Sequence, residues 1–257
     1  MQNELKIVKE ENSLDKKIHH KPGPAYSKFL IRIAKRQKYF LISAFIIGLL
    51  FGSLFPFLYL PLFKYFIEDE KRLVEVYRLV FLMLNIVASI SLIGTFFQKI
   101  FFENRNTVVF KRVALTGISK KSFLILSSLV IFLYAFTAYL ISIISFTVGA
   151  AIFIDNGLAK IYSSWNILRD LLIYLFCTIA FIGFLFVIFS LTHSVTIAKI
   201  MTIPFVLINL FVFSMVVLNL DIEMKIMNLI MWIYLLFLIC LAIIFWFIAY
   251  KKFRFHF

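Results

Sequence analysis

Long apolar stretches, separated by short polar segments, dominate the pattern of hydrophobic and polar positions along the chain. Each is close to the ~20 residues that a helix needs to cross the hydrocarbon layer of a bilayer. There are six such stretches, Tyr39–Phe63, Val76–Phe97, Phe123–Phe153, Leu171–Leu191, Ile200–Leu218 and Met227–Tyr250. No strand-length alternation suggests a barrel, so helices are the expected spanning elements. The pattern predicts an all-α integral membrane protein with six transmembrane helices.

The charged residues are divided unequally between the two sides of this predicted bundle. Most of the 27 Lys and Arg residues lie on one side, in residues 1–38, 98–122, 192–199 and 251–257. Most of the 13 Asp and Glu residues lie on the other side, in residues 64–75, 154–170 and 219–226. Because basic connecting segments stay in the cytoplasm, both termini are predicted to be cytoplasmic.

The composition agrees with a membrane protein and excludes a soluble domain. The chain is 63% hydrophobic, with a mean hydropathy of +0.98, and residues 39–250 are expected to form one transmembrane domain. The net charge of +14 is explained by the basic cytoplasmic side and anionic lipid headgroups, so no nucleic-acid partner is expected. Cys177 and Cys240 lie inside predicted spans without metal-ligand spacing, so no metal site is expected.

The N-terminal segment divides into two parts. Residues 1–25 mix Lys with Glu and end in His-Lys-Pro-Gly-Pro, which is typical of a flexible cytoplasmic arm. In residues 26–38, helical spacing puts apolar residues on one face and cations on the other: Tyr26, Phe29, Leu30 and Ile33 against Lys28, Arg32, Lys35 and Arg36. This predicts an interfacial amphipathic helix with its apolar side toward the membrane, the alternative being a charged flank of the first span. Residues 251–257 are predicted to form a basic cytoplasmic tail.

Full charges are scarce inside the predicted spans, where Asn85 and Asn209 are the most polar deep residues. Two interpretations stay open for them, a transport pathway and a helix–helix hydrogen bond. The scarcity argues against an ion pump or a proton-coupled transporter. Since no acid, His or Cys pair converges within the spans, no catalytic residues are expected.

The cytoplasmic segment between the second and third spans, residues 98–122, has more internal organisation than a tether needs. Residues 107–115 can form a short amphipathic helix, Gly117 suits a left-handed helix end, and Ser119 can cap the following helix. This organisation favours a docking surface.

With Glu103 at the end of the second span, Gly117 further on and a polar start to the third span at Ser119–Ser122, the chain resembles the membrane subunits of type-2 ABC exporters. The resemblance covers nearly the whole chain in architecture but only about 25 residues in motif, namely the 98–122 loop. The chain departs from many members in having Ser127 and Ser128 where they carry Lys, and in the short loop Asn219–Ile226.

The resemblance implies a permease subunit of an ABC transporter in the plasma membrane, working beside a second, identical or homologous six-span subunit. The chain has no G-x-x-x-x-G-K-[ST] motif, so ATP and Mg would be bound by separate ATP-binding cassette subunits. These would dock on the coupling helix in the 98–122 loop, through Glu103, Arg105, Lys111, Arg112 and Gly117. The second and fifth spans would line the substrate path, which places Asn85, Asn209, Phe211 and Phe213 along it.

The expected substrate of such an exporter is amphipathic, either a peptide, a drug, a lipid or a lipid-linked polymer. The alternative function is a non-transporting membrane scaffold or assembly factor, which would hold a cytoplasmic partner on the 98–122 loop.

Overall fold

The computed structural model describes residues 26–28, 30–32, 38–54, 58, 62, 65, 67, 69–102, 118–153, 166–192, 194–218 and 223–253. These residues contain no strand, which confirms the predicted all-helical class. Six α-helices are described: α1 Lys38–Leu54, α2 Glu70–Phe97, α3 Lys120–Phe153, α4 Asn166–Leu191, α5 Val195–Leu218 and α6 Met224–Lys252. A π-helical turn, Gln98–Phe102, extends α2.

Four of these helices are long and apolar enough to cross a membrane, namely α2 with its π-helical turn, α3, α4 and α6. The apolar part described in α5, Ile200–Met215, is shorter. The membrane-embedded character expected from the sequence is therefore supported, while the number of six spans stays a prediction.

All six described helices begin before their predicted apolar stretches, and for α2 and α4 the added residues include acidic as well as basic ones. Helix α2 begins at Glu70 rather than Val76, and its N-terminus is capped by Asp69, whose carboxylate accepts a hydrogen bond from the Lys71 backbone N–H at 3.1 Å. Helix α4 begins at Asn166, five residues before the predicted apolar stretch Leu171–Leu191. These added turns bring charged residues into the helices.

The described helices meet at two chemically different ends. At one end, Phe123 at the start of α3 stacks on Phe253 after α6, with 5.1 Å between ring centroids. Phe102 beside α2 packs edge-on against Phe189 near the end of α4, at 5.2 Å. We call this the aromatic end. At the opposite end, the first turns of α2, α4 and α6 meet through polar side chains, and we call this the charged end.

Small residues allow α1 to pack closely on α3. Ala44 and Gly48 lie one turn apart on α1 and are both buried. A Cβ atom at Gly48 would lie only 2.6 Å from the Ala138 carbonyl oxygen of α3. Small residues with this spacing are typical of membrane helix pairs whose backbones approach closely.

The outward faces of the long helices are apolar. On α3, Ile144 is 66% exposed, and on α6 Leu236 is 63% exposed. Exposed faces of this kind suit contact with lipid chains, which agrees with the length of these helices.

Part of the predicted interfacial segment is helical, in residues 26–28 and 30–32. Tyr26 and Leu30 are buried, whereas Lys28 and Arg32 are exposed, so the two-sided pattern is present. The Tyr26 ring stacks on Phe123 at 5.2 Å, and its hydroxyl shares a hydrogen bond of 2.9 Å with the Ser127 hydroxyl. Tyr26 therefore packs on α3, whereas the apolar residue Ile31 of the same segment is 46% exposed, and the interfacial position of the segment stays a prediction. The other residues of this segment, the 1–25 arm and residues 254–257 lie outside the described residues.

Candidate functional site

A cavity of about 320 Å³ lies between α2 and α5 and reaches α4 at one residue. Eight lining residues belong to α2 and its π-helical turn, and most of them follow one face of the helix at spacings of three or four residues. They are Val87, Ile90, Ser91, Gly94, Thr95, Phe97, Gln98 and Phe102. The remaining lining residues are Leu185, Thr202 and Val206. Hydroxyl and amide groups are thus interspersed with apolar side chains, and none of the lining residues that the structure describes carries a full charge.

The cavity extends to the π-helical turn that continues α2. Phe97, Gln98 and Phe102 line the cavity at this point. The Gln98 backbone N–H is shared between the carbonyl oxygens of Gly94 and Thr95. Short π-helical turns occur frequently at functional sites. Residue 103, the first position of the predicted docking segment, follows directly.

The residues predicted for docking, Glu103, Arg105, Lys111, Arg112 and Gly117, lie outside the described residues. The flanks of this segment are described. Ser119 accepts a hydrogen bond from the Ser122 backbone N–H at 3.1 Å, as its predicted capping role requires.

Both flanks belong to one aromatic cluster at the aromatic end, made of side chains from α2, its π-helical turn, α3, α4 and the residue after α6: Phe97, Phe101, Phe102, Phe123, Phe186, Phe189 and Phe253. Phe101 and Phe123, on the two sides of the docking segment, meet edge to face with 6.0 Å between ring centroids. Edge-to-face pairs add stability beyond their buried area. The two ends of the docking segment are therefore held together by packing.

The structure does not gather the four predicted path residues into one cavity. Asn85 is buried in α2 and donates a hydrogen bond to the Phe81 carbonyl of its own helix at 2.9 Å. Phe213 is buried and packs edge-on against Tyr234 of α6, whereas Phe211 is 60% exposed. None of these residues lines the α2–α5 cavity, so their part in a path stays a prediction.

Asn209 forms a buried polar junction between three helices. Its Oδ1 accepts hydrogen bonds from the Tyr234 hydroxyl of α6 and, at 3.1 Å, from the Cys177 thiol of α4. Its Nδ2 donates to the Phe205 carbonyl at 2.6 Å. In this arrangement the amide serves as a helix–helix hydrogen bond, one of the two interpretations that the sequence left open.

Four charged side chains at the charged end were not recognised from sequence as a group. They are Glu75 and Arg78 of α2 and Arg169 and Asp170 of α4, and all four are buried. Arg78 Nη2 donates to Glu75, and Arg78 Nε lies 2.5 Å from Asp170 Oδ2. Arg169 donates to Asp170 Oδ1 through Nε at 3.0 Å and through Nη2 at 2.9 Å. We call these four residues the ion cluster.

Two amides complete the ion cluster. Asn166 Nδ2 donates to Glu75 Oε1 at 2.8 Å, and Arg169 Nη1 donates to Asn228 Oδ1 of α6 at 2.6 Å. The two positive and two negative charges balance, which is the condition under which buried ions are tolerated. The earlier starts of α2 and α4 place these ions within the helices, although of the four only Arg78 falls inside an apolar stretch predicted from the sequence. The spacing of Glu75 and Arg78, one helical turn apart, was the available signal.

The described residues hold no group of three or more His, Cys, Asp or Glu side chains that could bind a metal ion. Comparison with protein-family models, curated proteins and solved structures finds no match for this chain.

Proposed function

We propose that this chain is the membrane-spanning subunit of an ATP-driven exporter of the ABC type, which moves an amphipathic substrate out of the cell across the plasma membrane. One observation carries the proposal. The wall of the cavity between α2 and α5 includes the π-helical turn that directly precedes residues 103–117 in the chain. A partner that moved this segment would act on the wall of the cavity.

The aromatic cluster supports a mechanical role for that segment. Phe101 packs on Phe123, Phe186 and Phe189, so the end of α2, the start of α3 and the end of α4 are in mutual contact. Because packed side chains resist independent displacement, a push on residues 103–117 would shift these helix ends together. In this mechanism, ATP and Mg stay on the separate ATPase subunits, and a second six-span subunit completes the path.

The lining of the cavity favours an amphipathic substrate. Ser91, Thr95, Gln98 and Thr202 offer hydrogen-bonding groups among apolar residues, and the lining in the described part of the chain has no charge to pair with an ionic group. Cavities of about 300 to 1,000 Å³ with a few polar groups are typical of small-molecule sites. A lipid, an amphipathic peptide or an uncharged drug fits this description better than an ionic sugar does.

The first test is purification of the tagged chain from its native membrane in mild detergent, with mass spectrometry of the proteins that remain bound. We expect a P-loop ATPase in roughly equal abundance. A chain that purifies with a different partner, under conditions that preserve known exporters, would overturn the proposal and favour the scaffold function.

The second test uses two matched threonines. Thr95 lines the cavity and Thr137 lies on the exposed face of α3, and each hydroxyl donates to the carbonyl one turn earlier, at 2.9 Å and 2.8 Å. We expect Thr95→Trp to fill the cavity and abolish substrate-stimulated ATP hydrolysis by the purified complex. Thr137→Trp should leave stimulation unchanged. Equal stimulation in both variants would contradict a substrate site in this cavity.

A further inference from the structure

A second, narrower cavity lies at the charged end, between α2, α3 and α4. Its volume is about 120 Å³, and it is open on one side. Seven of its nine lining residues are apolar or aromatic: Phe81, Leu82, Tyr139, Ile143, Phe146, Ile167 and Leu171. The other two are Arg78 and Asp170 of the ion cluster. We call this cavity the crevice.

The crevice runs along the helices. On α3 it is lined by residues three or four positions apart, Tyr139, Ile143 and Phe146, which follow one face of the helix. The contributions of α2 and α4 have the same spacing. A groove that follows three roughly aligned helices suits an elongated ligand.

The walls of the crevice are preformed. Phe146 stacks on Phe81 with 4.1 Å between ring centroids, and Tyr139 stacks on Tyr174 at 3.7 Å. Next to the crevice on α3, Leu140, Ile144 and Val148 are exposed apolar residues. The crevice therefore borders a surface that lipid chains would cover.

Arg78 lies where the polar and apolar parts of a membrane would meet. Between Arg78 and Lys99, α2 with its π-helical turn rises by about 31 Å at the usual helical pitch. This matches the ~30 Å thickness of the hydrocarbon layer. Arg78 thus marks one boundary of that layer, and Phe81 and Leu82 lie deeper.

Arg78 retains hydrogen-bond donors for a ligand. Its side chain is buried, with Nη2 bonded to Glu75 and Nε beside Asp170. Nη2 forms a hydrogen bond to Glu75, whereas the buried Nε forms none and Nη1 donates none to the described residues. A guanidinium group that lines a cavity with donors to spare can donate a hydrogen bond to a ligand bound there.

We propose that the crevice binds one acyl chain of a glycerolipid, whose ester carbonyl oxygen accepts a hydrogen bond from Arg78 Nη1. The two carboxylates beside Arg78 neutralise the cluster, so the site offers no net attraction to a phosphate group and favours an uncharged acceptor. The size agrees, since an apolar cavity of about 150 Å³ holds a benzene-sized ligand. A section of alkyl chain fits in the crevice and a headgroup does not. This site is independent of the proposed transport function.

The test is photolabelling of the purified full-length chain in phosphatidylcholine vesicles that contain a diacyl phosphatidylcholine with a diazirine in its acyl chain. Labelled residues are located by tandem mass spectrometry. Lipid is then diluted in detergent to one lipid molecule per chain. We expect labelling of Tyr139 and Phe146 to persist and labelling of the exposed residues Ile144 and Val148 to disappear. If labelling disappeared equally at all four residues, the proposal would be overturned.

Two neighbouring positions on α3 provide matched variants. Ile143 lines the crevice, whereas Ile144 is 66% exposed. Ile143→Trp should fill the crevice and remove the persistent labelling, and Ile144→Trp should leave it intact. Persistent labelling in the Ile143→Trp protein would show that the lipid lies elsewhere and would overturn the proposal.

The role of Arg78 is tested in two ways. Arg78→Lys keeps the positive charge of the ion cluster but removes the guanidinium group, and with it Nη1. This variant should therefore retain less lipid. A dialkyl ether lipid of the same chain length should compete less well than the diacyl ester, by roughly two- to tenfold for the loss of one hydrogen bond. Equal competition by the ether lipid would contradict the carbonyl bond.

Discussion

Arg169 Nη1 donates a hydrogen bond of 2.6 Å to Asn228 Oδ1, and this bond joins α4 to α6 at the charged end. The Arg169 side chain is fully buried, and its Nε and Nη2 hold Asp170. The Arg169 guanidinium group therefore links the contact between α4 and α6 to the ion cluster. We expect its removal to weaken both.

Arg169→Leu should destabilise the protein strongly, because the Asp170 carboxylate loses one of its two buried positive partners. Breaking a buried ion pair by removing one partner costs about 3–5 kcal/mol. The measurement is thermal unfolding of the purified chain in detergent. Lys225→Ala, which removes an exposed cation near the same end, is the control and should change stability by less than about 0.5 kcal/mol. Equal effects of the two substitutions would contradict a buried, paired Arg169.

Gly48→Ala should weaken the packing of α1 on α3. The added Cβ atom would lie 2.6 Å from the Ala138 carbonyl oxygen, so one backbone must move. Overpacking of this kind typically costs about 1–3 kcal/mol. Gly94→Ala is the matched control, since the nearest atom to its Cβ is 3.9 Å away. Cysteine crosslinking between α1 and α3 would report the separation, and an unchanged crosslinking rate in Gly48→Ala would refute the close contact.

The positions of the helices could be predicted because length and hydrophobicity are local properties. The third apolar stretch, Phe123–Phe153, nearly coincides with α3, Lys120–Phe153. The ion cluster could not be predicted in the same way. A hydropathy pattern counts Arg169 and Asp170 as two residues that are unfavourable in a membrane, although the two side chains form a neutral ion pair. Arg78, the α2 partner of Asp170, is about ninety residues away in the chain, as Glu75 is from Asn166.

In the candidate site too, single residues could be recognised from the sequence, whereas their partners could not. Asn209 was recognisable as a deep polar residue, because a lone amide in an apolar run needs a partner. The identity of its partners, Cys177 and Tyr234, depends on how α4, α5 and α6 are rotated about their axes. The α2–α5 cavity likewise depends on the spacing between helices, which no local pattern contains.

Asn209 and Tyr234 should be energetically coupled. A double-mutant cycle with Asn209→Ala and Tyr234→Phe, followed by unfolding in detergent, should give a coupling of about 0.6 kcal/mol and at most about 1.7 kcal/mol, the range measured for hydrogen bonds between membrane helices. Asn85→Ala with Tyr234→Phe is the control, because Asn85 bonds only within α2, and should give additive effects. Additivity in the first cycle would contradict the junction.

The same Asn209 variant separates the two interpretations of this residue. If the amide acts only as a helix–helix bond, Asn209→Ala should lower stability and leave substrate-stimulated ATP hydrolysis intact at low temperature. Lost stimulation in a folded Asn209→Ala protein would instead support the substrate path predicted from the sequence.

Phe101→Leu should uncouple the docking segment from the cavity, if the proposed exporter function holds. Phe101 contacts Phe123, Phe186 and Phe189 at the aromatic end, and a leucine side chain keeps the site apolar while losing the edge-to-face contacts. The ATPase should still bind, but the ratio of substrate-stimulated to basal ATP hydrolysis should fall. Phe132→Leu, which loses a stacking contact within α3, is the control and should keep the wild-type ratio. An unchanged ratio in Phe101→Leu would show that force does not pass through the aromatic cluster.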